Sequence, residues 1–436
     1  MNEEIIKNRI INFHNDKLPP YIKRDINIFH IKDMVTTIVG CRKSGKTYLT
    51  YQIIDDFIKQ GVIYDITQVC YLHFDDEVLS NLTINDLSSI DKIFFSIYPD
   101  LIDKNIVFVF DEIHKIVGWE NLILRLKKKL NYFVIVTGSS ADLEENKVAR
   151  QLRGKTFTHK LLPLSFKEFI AFQHKYKIDL NKLSDVDYAV LNNLLEKYIE
   201  TGCFPAIAAL DKFAVRPLLQ NYFNSIVVSD FIFAKKIKNV LLCKTFIKNL
   251  MQKNACSYTH KKETNNLKSM GYKITAQTVV DWFETAVVSY FLGVNCINSP
   301  SIKRIEQNYR KIYCIDWGMA KSVSLFTESR NSRSVESIIY WQLIRDDYNV
   351  SYELVGKEKY EIDFIVSKPD SISPIAIQVT LSLSEDSNLE RKIRGFALLE
   401  KRYPGIKKII ITKETYNKKL ENIQVINLLD WLLKKY

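Results

Sequence analysis

No apolar run in this 436-residue chain approaches the ~20 residues needed to cross a bilayer. The first residues, Met1-Asn2-Glu3-Glu4, are acidic at once and lack a hydrophobic signal segment. Both absences lead us to expect a cytoplasmic protein without a membrane partner. Cysteine is sparse: seven residues, an odd number, with no CxxC pair. That suits free thiols in a reducing compartment better than a disulfide framework or a zinc cluster. Cys70 and His73 have ligand-like spacing but no second pair, so both read as core residues of a strand. Acidic residues are too few to balance the basic ones, 50 against 62, leaving a net charge of +12. A basic balance favours a polyanionic partner. The excess is concentrated, because between Lys244 and Lys311 eleven Lys or Arg stand against four acids, a net +7.

What is present begins with a hydrophobic fraction of 47% and a charged fraction of 26%, ordinary for a globular protein long enough for several domains. A helical pattern (Ile5, Ile6, Ile10, Phe13) is broken by Pro19-Pro20. A β-branched run to Val39 then meets Gly40-Cys41-Arg42-Lys43-Ser44-Gly45-Lys46-Thr47, followed by helical periodicity through Ile58. Strand, glycine loop and helix make this a phosphate-binding loop. Its backbone N–H groups and the helix N-terminus are arranged for polyphosphate. Lys46 is expected to reach the β- and γ-phosphates of ATP, and Thr47 to offer its hydroxyl to Mg²⁺.

Ile106 to Phe110, followed by Asp111-Glu112, reads as a buried parallel strand delivering two acids to its C-terminal edge. Asp111 is expected to hold the Mg²⁺ shell and Glu112 to polarise the attacking water. Phe133 to Ser140 is a further buried strand ending in hydroxyls, of which Thr137 and Ser139 are candidates to contact the γ-phosphate or the water.

The order of phosphate loop, Asp111-Glu112-Ile113-His114 and Thr137-Gly138-Ser139-Ser140 resembles the AAA-type ATPases. Leu162-Pro163-Leu164-Ser165-Phe166-Lys167-Glu168-Phe169 and Thr201-Gly202-Cys203-Phe204-Pro205 sharpen the likeness. They are similar to bacterial and archaeal ATPases carrying a C-terminal domain of unknown function with a restriction-endonuclease-like ending. The chain departs from that pattern at Gly154-Lys155, where Gly-Arg is usual, and at Gly202-Cys203, where two glycines are usual. The resemblance implies an α/β fold with four parts: the ATPase core with its N-terminal helix (1–160), a helical lid (161–240), a winged helix-turn-helix (241–330) and a restriction-endonuclease-like domain (331–436). It also implies a ring-like homo-oligomer when ATP is bound, with Arg150 or Arg153 as candidate arginine finger.

Within the basic segment, Phe246, Leu250 and Met251 have helical spacing, Glu263 to Met270 forms a second helix, and Thr275 caps a third bearing Val279, Val280, Phe283 and Val287. Strands are expected at Ser289 to Asn295 and Arg310 to Ile315, around a turn at Asn298-Ser299-Pro300. Three helices and a two-stranded wing spell a winged helix. Candidate duplex-DNA contacts are Lys261, Lys262, Lys273, Gln277, Lys303, Arg304, Arg310 and Lys311; Asp281 on the third helix opposes them.

From Ser334 the order helix, three strands, helix, strand matches the core of the restriction-endonuclease fold. Carried over from active members of that fold, the metal site falls on Glu336, Asp363, Gln378 and Thr380. The first two keep their carboxylates. Gln378 lowers the charge, and Thr380 stands where a lysine is needed, with Lys359 or Arg391 as possible substitutes. Three readings of output stay open: ATP hydrolysis coupled to DNA engagement in genome maintenance or defence, an ATP-controlled assembly switch whose C-terminal modules dock proteins, and an active Mg²⁺ nuclease.

Overall fold

The computed structural model describes residues 2–31, 33–139, 152, 154–173, 178–180, 182–324, 330–369, 373–384, 386–416 and 418–435. The chain forms two compact units, residues 1–163 with 288–290, and 164–287 with 291–436. Among the described residues, no helix is long and apolar enough to cross a membrane.

The first unit is built on a five-stranded parallel sheet of β1 (Val35–Gly40), β2 (Val69–His73), β3 (Ile106–Asp111), β4 (Tyr132–Ser139) and β5 (Thr156–Lys160). Their spatial order is β2-β3-β4-β1-β5. β1 and β3 are buried at every position, as a parallel sheet covered on both faces requires. Alternation distributes β3 between two cores. Ile106, Phe108 and Phe110 pack with the helices Asn2–Asn15, Ile90–Ile97 and Trp119–Leu126. Val107 and Val109 pack with Leu49, Ile53, Ile54 and Phe57 of the helix Lys46–Lys59. β1 continues toward β2 at one edge, and β4 toward β5 on the other side. The crevice between the C-terminal ends of β1 and β4 is therefore the topological switch point, where ligands of such sheets bind.

In the second unit, the stretch Leu164 to Phe169 and the Gly202 motif explain each other. Ser165 caps the helix Phe166–Ala171 in a capping box with Glu168. The Leu164 amide donates to the Cys203 carbonyl, and the Tyr198 hydroxyl donates to the Leu164 carbonyl, at 2.8 Å each. Gly202 has φ +94°, and a Cβ there would lie 2.4 Å from both Asp316 carboxylate oxygens. That carboxylate accepts the amides of Cys203 and Met319, 2.5 Å each, anchoring the helix Trp317–Ser322.

The helices Val240–Gln252, His260–Ser269 and Ala276–Val288 are followed by β7 (Leu292–Ile297) and β8 (Arg310–Cys314). Thr275 caps the third helix by accepting from the Thr278 amide at 3.1 Å. A strand absent from the expectation, β6 (Cys256–Tyr258), pairs antiparallel with β8, so the strands number three. Between β7 and β8 the chain forms the helix Ile302–Gln307. The helix Arg330–Arg345 leads to β9 (Asn349–Val355), β10 (Tyr360–Ser367) and β11 (Ile375–Thr380). The helix Asp386–Arg402, β12 (Lys407–Thr412), β13 (Gln424–Asn427) and the helix Leu428–Leu433 follow. β7 pairs parallel with β9, joining everything into one eight-stranded sheet, β13-β12-β11-β10-β9-β7-β8-β6.

Candidate functional site

The loop after β1 combines tight backbone approach with left-handed turns. A Cβ at Gly40 would meet the Leu161 carbonyl oxygen at 2.3 Å, so only glycine permits this contact. Lys43 (φ +65°) and Gly45 (φ +99°) curl the chain into the start of the helix Lys46–Lys59. Arg24, buried, braces the loop from outside. Its guanidinium donates to the Ser44 carbonyl at 2.8 Å and the Leu162 carbonyl at 2.7 Å. Its backbone exchanges hydrogen bonds with the Gln52 amide.

The acids arrive where the parallel strand carries them. Thr47 Oγ1 donates to Asp111 Oδ2 at 2.7 Å, and Tyr71 donates to the same oxygen at 2.9 Å. Thr137 donates to Asp111 Oδ1, and its oxygen accepts the Glu112 backbone amide at 3.1 Å. One hydroxyl from β4 thus ties both acids to the sheet edge. Glu112 leaves β3 in the left-handed region, φ +57° and ψ +41°, a conformation that costs a non-glycine residue about 1 kcal/mol or more. The turn brings its Oε1 to 3.5 Å from Lys46 Nζ, which also donates to the Gly40 carbonyl at 3.2 Å and the Cys41 carbonyl at 3.4 Å. His114 Nδ1 stands 3.3 Å from Glu112 Oε2.

A Mg²⁺–nucleoside triphosphate fits this donor set. Ser44 Oγ and Glu112 Oε2 are buried without a hydrogen-bond partner among the described residues, one on the loop and one on the expected base. Thr47 and Asp111, the expected metal holders, already touch. Burial raises the Tyr71 phenol well above its ordinary value, with the Asp111 charge adding to it, so Tyr71 remains a donor to that carboxylate.

Lys46, Thr47, Asp111, Glu112 and Thr137 are therefore brought together. The Ser139 side chain, Arg150 and Arg153 lie outside the described residues. Tyr71 and Arg24 escaped the sequence reading, as did the contact of His114 with Glu112 and the position of His73. Its side chain is 39% exposed, 3.7 Å from Asp111, and not core, whereas its neighbour Cys70 is fully buried. Only the strand period, which places Tyr71 and His73 on one face of β2, carried a signal for them.

The basic segment divides in two. Lys261, Lys262, Lys273, Gln277 and Lys303 are exposed, and Gln277 donates to Asp281 at 2.8 Å. Arg304 instead pairs with the fully buried Glu353 at 3.3 Å, which also holds Arg402 at 2.9 Å. Arg310 pairs with Glu306 at 2.7 Å and with His260. Lys311 is buried among Glu336, Glu361 and Asp363. Arg304, Arg310 and Lys311 are thus ion-paired with acids of their own chain.

The expected nuclease-like set is brought together only in part. Glu336 and Asp363 converge on Lys311. Gln378 turns its amide to the Glu361 carbonyl at 3.5 Å, and the Thr380 hydroxyl donates to the Ser382 carbonyl at 2.8 Å. Besides Lys311, the basic side chain near Asp363 is neither Lys359 nor Arg391 but Lys392, 3.8 Å from Asp363 Oδ2 and bonded to the Val379 carbonyl at 2.9 Å. Among the described residues, no group of three His, Cys, Asp or Glu side chains is placed to hold a metal ion.

Residues 32–170 match the model of a family described as an AAA domain, and residues 192–330 match a domain of unknown function. The chain thus carries an AAA-type domain. It is 29% identical over 445 residues to an uncharacterized protein of Methanocaldococcus jannaschii, covering 99% of this chain and 95% of that one. A second uncharacterized protein, from Haemophilus influenzae, is 27% identical over 411 residues, covering 93% and 96%. Among solved structures, a Walker-type ATPase of Pyrococcus abyssi has a TM-score of 0.36 at 14% identity, covering 66% of this chain and 90% of that one. The Aeropyrum pernix ORC1 protein in complex with DNA has 0.24 at 12%, covering 74% and 91%. At these scores no residue correspondence follows.

Proposed function

We propose that this protein is a Mg²⁺-dependent ATPase acting in the cytoplasm, whose nucleotide state governs a contact between its second unit and duplex DNA. The observation that carries the ATPase reading is the continuous chain Thr47–Asp111–Thr137–Glu112, with Lys46 3.5 Å from Glu112. Thr47 and Asp111 would hold Mg²⁺, which when bound neutralises charge between the β- and γ-phosphates. Lys46, drawn to the phosphates, leaves Glu112 Oε1 free to accept a proton from water. Thr137 keeps both acids oriented as that proton moves, and Arg24 keeps the Ser44 carbonyl turned away from the phosphates. Glu112→Gln is expected to bind ATP and to lose turnover by about a hundredfold or more. Unchanged turnover in that variant would overturn the assignment.

Support for DNA comes from the exposed Lys261, Lys262, Lys273 and Lys303 beside three helices and antiparallel strands, which we read as a winged helix. Loss of any effect of DNA on ATPase rate at low salt, together with no retention of DNA on filters, would exclude this output. The assembly switch is favoured by a different observation: three of the eight candidate contacts are held by internal acids. It predicts a change in particle size with ATP and none with DNA. Ring formation and an arginine finger from Arg150 or Arg153 belong to the ATPase proposal and are read in the same size measurement. A Mg²⁺ nuclease based on Glu336 and Asp363 predicts cleavage that Asp363→Ala abolishes; Lys311 between those carboxylates speaks against it.

A further inference from the structure

The turns that open the helices Val240–Gln252 and Ala276–Val288 border an open groove of about 770 Å³, within the size range of ligand sites. Its rim carries the exposed Lys238, Lys268 and Lys273. Among the described residues, no acid lines the groove and none of these lysines has an ion-pair partner. Between Lys235 and Lys273 ten lysines stand against one acid, Glu263, which is fully buried beside Lys253 and offsets nothing at the surface. Ile237, Leu242, Ile274 and Trp282 form an apolar floor. Leu241 and Met270, close to lining residues in the chain, are 66% and 52% exposed. Asn239 and Thr275 are engaged in capping, accepting the Leu242 amide at 3.0 Å and the Thr278 amide at 3.1 Å. The lysines are therefore the groups left to meet a ligand's charge.

We propose that this groove docks an acidic amphipathic helix of a partner protein, with its apolar side chains on the floor and its carboxylates on the three lysines. An apolar floor rimmed by charge of one sign fits a ligand that is apolar on one face and anionic on the other. Lysine suits the rim, because its stem covers apolar surface while its ammonium meets a single carboxylate as a point charge. Duplex DNA brings the negative charge but presents phosphates, not an apolar face, to such a floor. An unpaired strand requires aromatic planes on which its bases stack. Trp282, 8% exposed and packed 5.6 Å from Phe246 between ring centroids, offers no open face. That leaves Tyr272 alone for stacking, with its hydroxyl bonded to Thr245 at 3.3 Å. Neither Lys238 nor Lys268 belongs to the proposed duplex contacts, so the groove stands independently of the DNA reading.

The test is fluorescence anisotropy of a fluorescein-labelled peptide of repeated Glu-Leu-Leu-Glu, titrated with the full chain. A second peptide with serine for leucine keeps the charge and removes the apolar face, and a short thymidine oligonucleotide stands for a single strand. The leucine peptide is expected to bind, and its affinity to fall at least about tenfold in Lys238→Gln with Lys268→Gln and in Ile237→Ser. The serine peptide is expected not to bind. No binding of the leucine peptide, equal binding by wild type and both folded variants, or equal binding of the serine peptide would overturn the proposal. So would an oligonucleotide that binds more tightly than the leucine peptide and is lost with the two lysines. Hydrogen exchange of the wild-type chain with the leucine peptide bound is expected to protect amides within 237–242 and 272–278. Protection confined to other segments would overturn the proposal even where a variant does not fold.

Discussion

Lys46 Nζ and Glu112 Oε1 lie 3.5 Å apart, with their side chains only 5% and 11% exposed. The two charges thus neutralise each other, and under the proposed roles each is released for its own task only when the lysine has phosphate to hold. Lys46→Ala is expected to weaken ATP binding by at least about tenfold and to leave Glu112 buried beside His114 without its ammonium. Fluorescent-nucleotide titration measures the first effect. Glu112→Gln should retain the affinity that Lys46→Ala loses, which separates binding from chemistry.

Thr137 carries both acids on one hydroxyl, so Thr137→Val keeps the shape and removes the link. Two hydrogen bonds at a fully buried site are lost, at a cost of about 1–3 kcal/mol. Denaturant unfolding reports that cost. Steady-state kinetics are expected to show a lower kcat for ATP with KM little changed, because neither the loop nor Lys46 is touched.

Gly202→Ala is expected to destabilise the second unit by about 2–4 kcal/mol, since both φ and the Asp316 carboxylate forbid a Cβ. Asp316→Ala relieves that clash but leaves the Cys203 and Met319 amides without their acceptor. The double variant should therefore be less destabilised than the two single effects added, a coupling visible in urea midpoints.

Burial holds the His30 imidazole down at about 4, with neighbouring His159 contributing in the same direction. Because the folded value lies below the unfolded one near 6.5, the stability contributed by neutral His30 is fully present above about pH 6.5. As pH falls from there toward about 4, the unfolded chain takes up the proton first and stability declines. His30→Gln is expected to flatten part of that decline in pH-dependent melting curves. An unchanged slope would place the loss on other groups.

Removing Lys261, Lys262 and Lys273 together as glutamines is expected to weaken duplex binding and to lower the salt slope by about 3, with basal ATPase unchanged. Arg304→Ala should behave differently, lowering the melting temperature through Glu353 and leaving the salt slope as it was. Filter binding across a salt series, set beside melting curves, distinguishes the two classes of basic residue.

Local chemistry made much of this protein readable from its chain. Gly40 to Thr47 forms its cradle from consecutive backbone, so spacing alone reveals it. Ile106 to Glu112 discloses a buried strand and its terminal acids by hydrophobic continuity. Helix and strand positions from Arg330 to Thr412 follow from periodicity for the same reason. Only the tertiary structure decided which charges face solvent. Lys311 looks like any other member of a basic segment until β8 places it against acids that follow it by 25 to 52 positions. Arg24 meets a carbonyl 138 residues away, and Cys203 an acid 113 residues away. Burial inverts the meaning of a charged side chain, from a contact offered to a partner into a bond the protein keeps, and burial is set by strand pairing that no local pattern records.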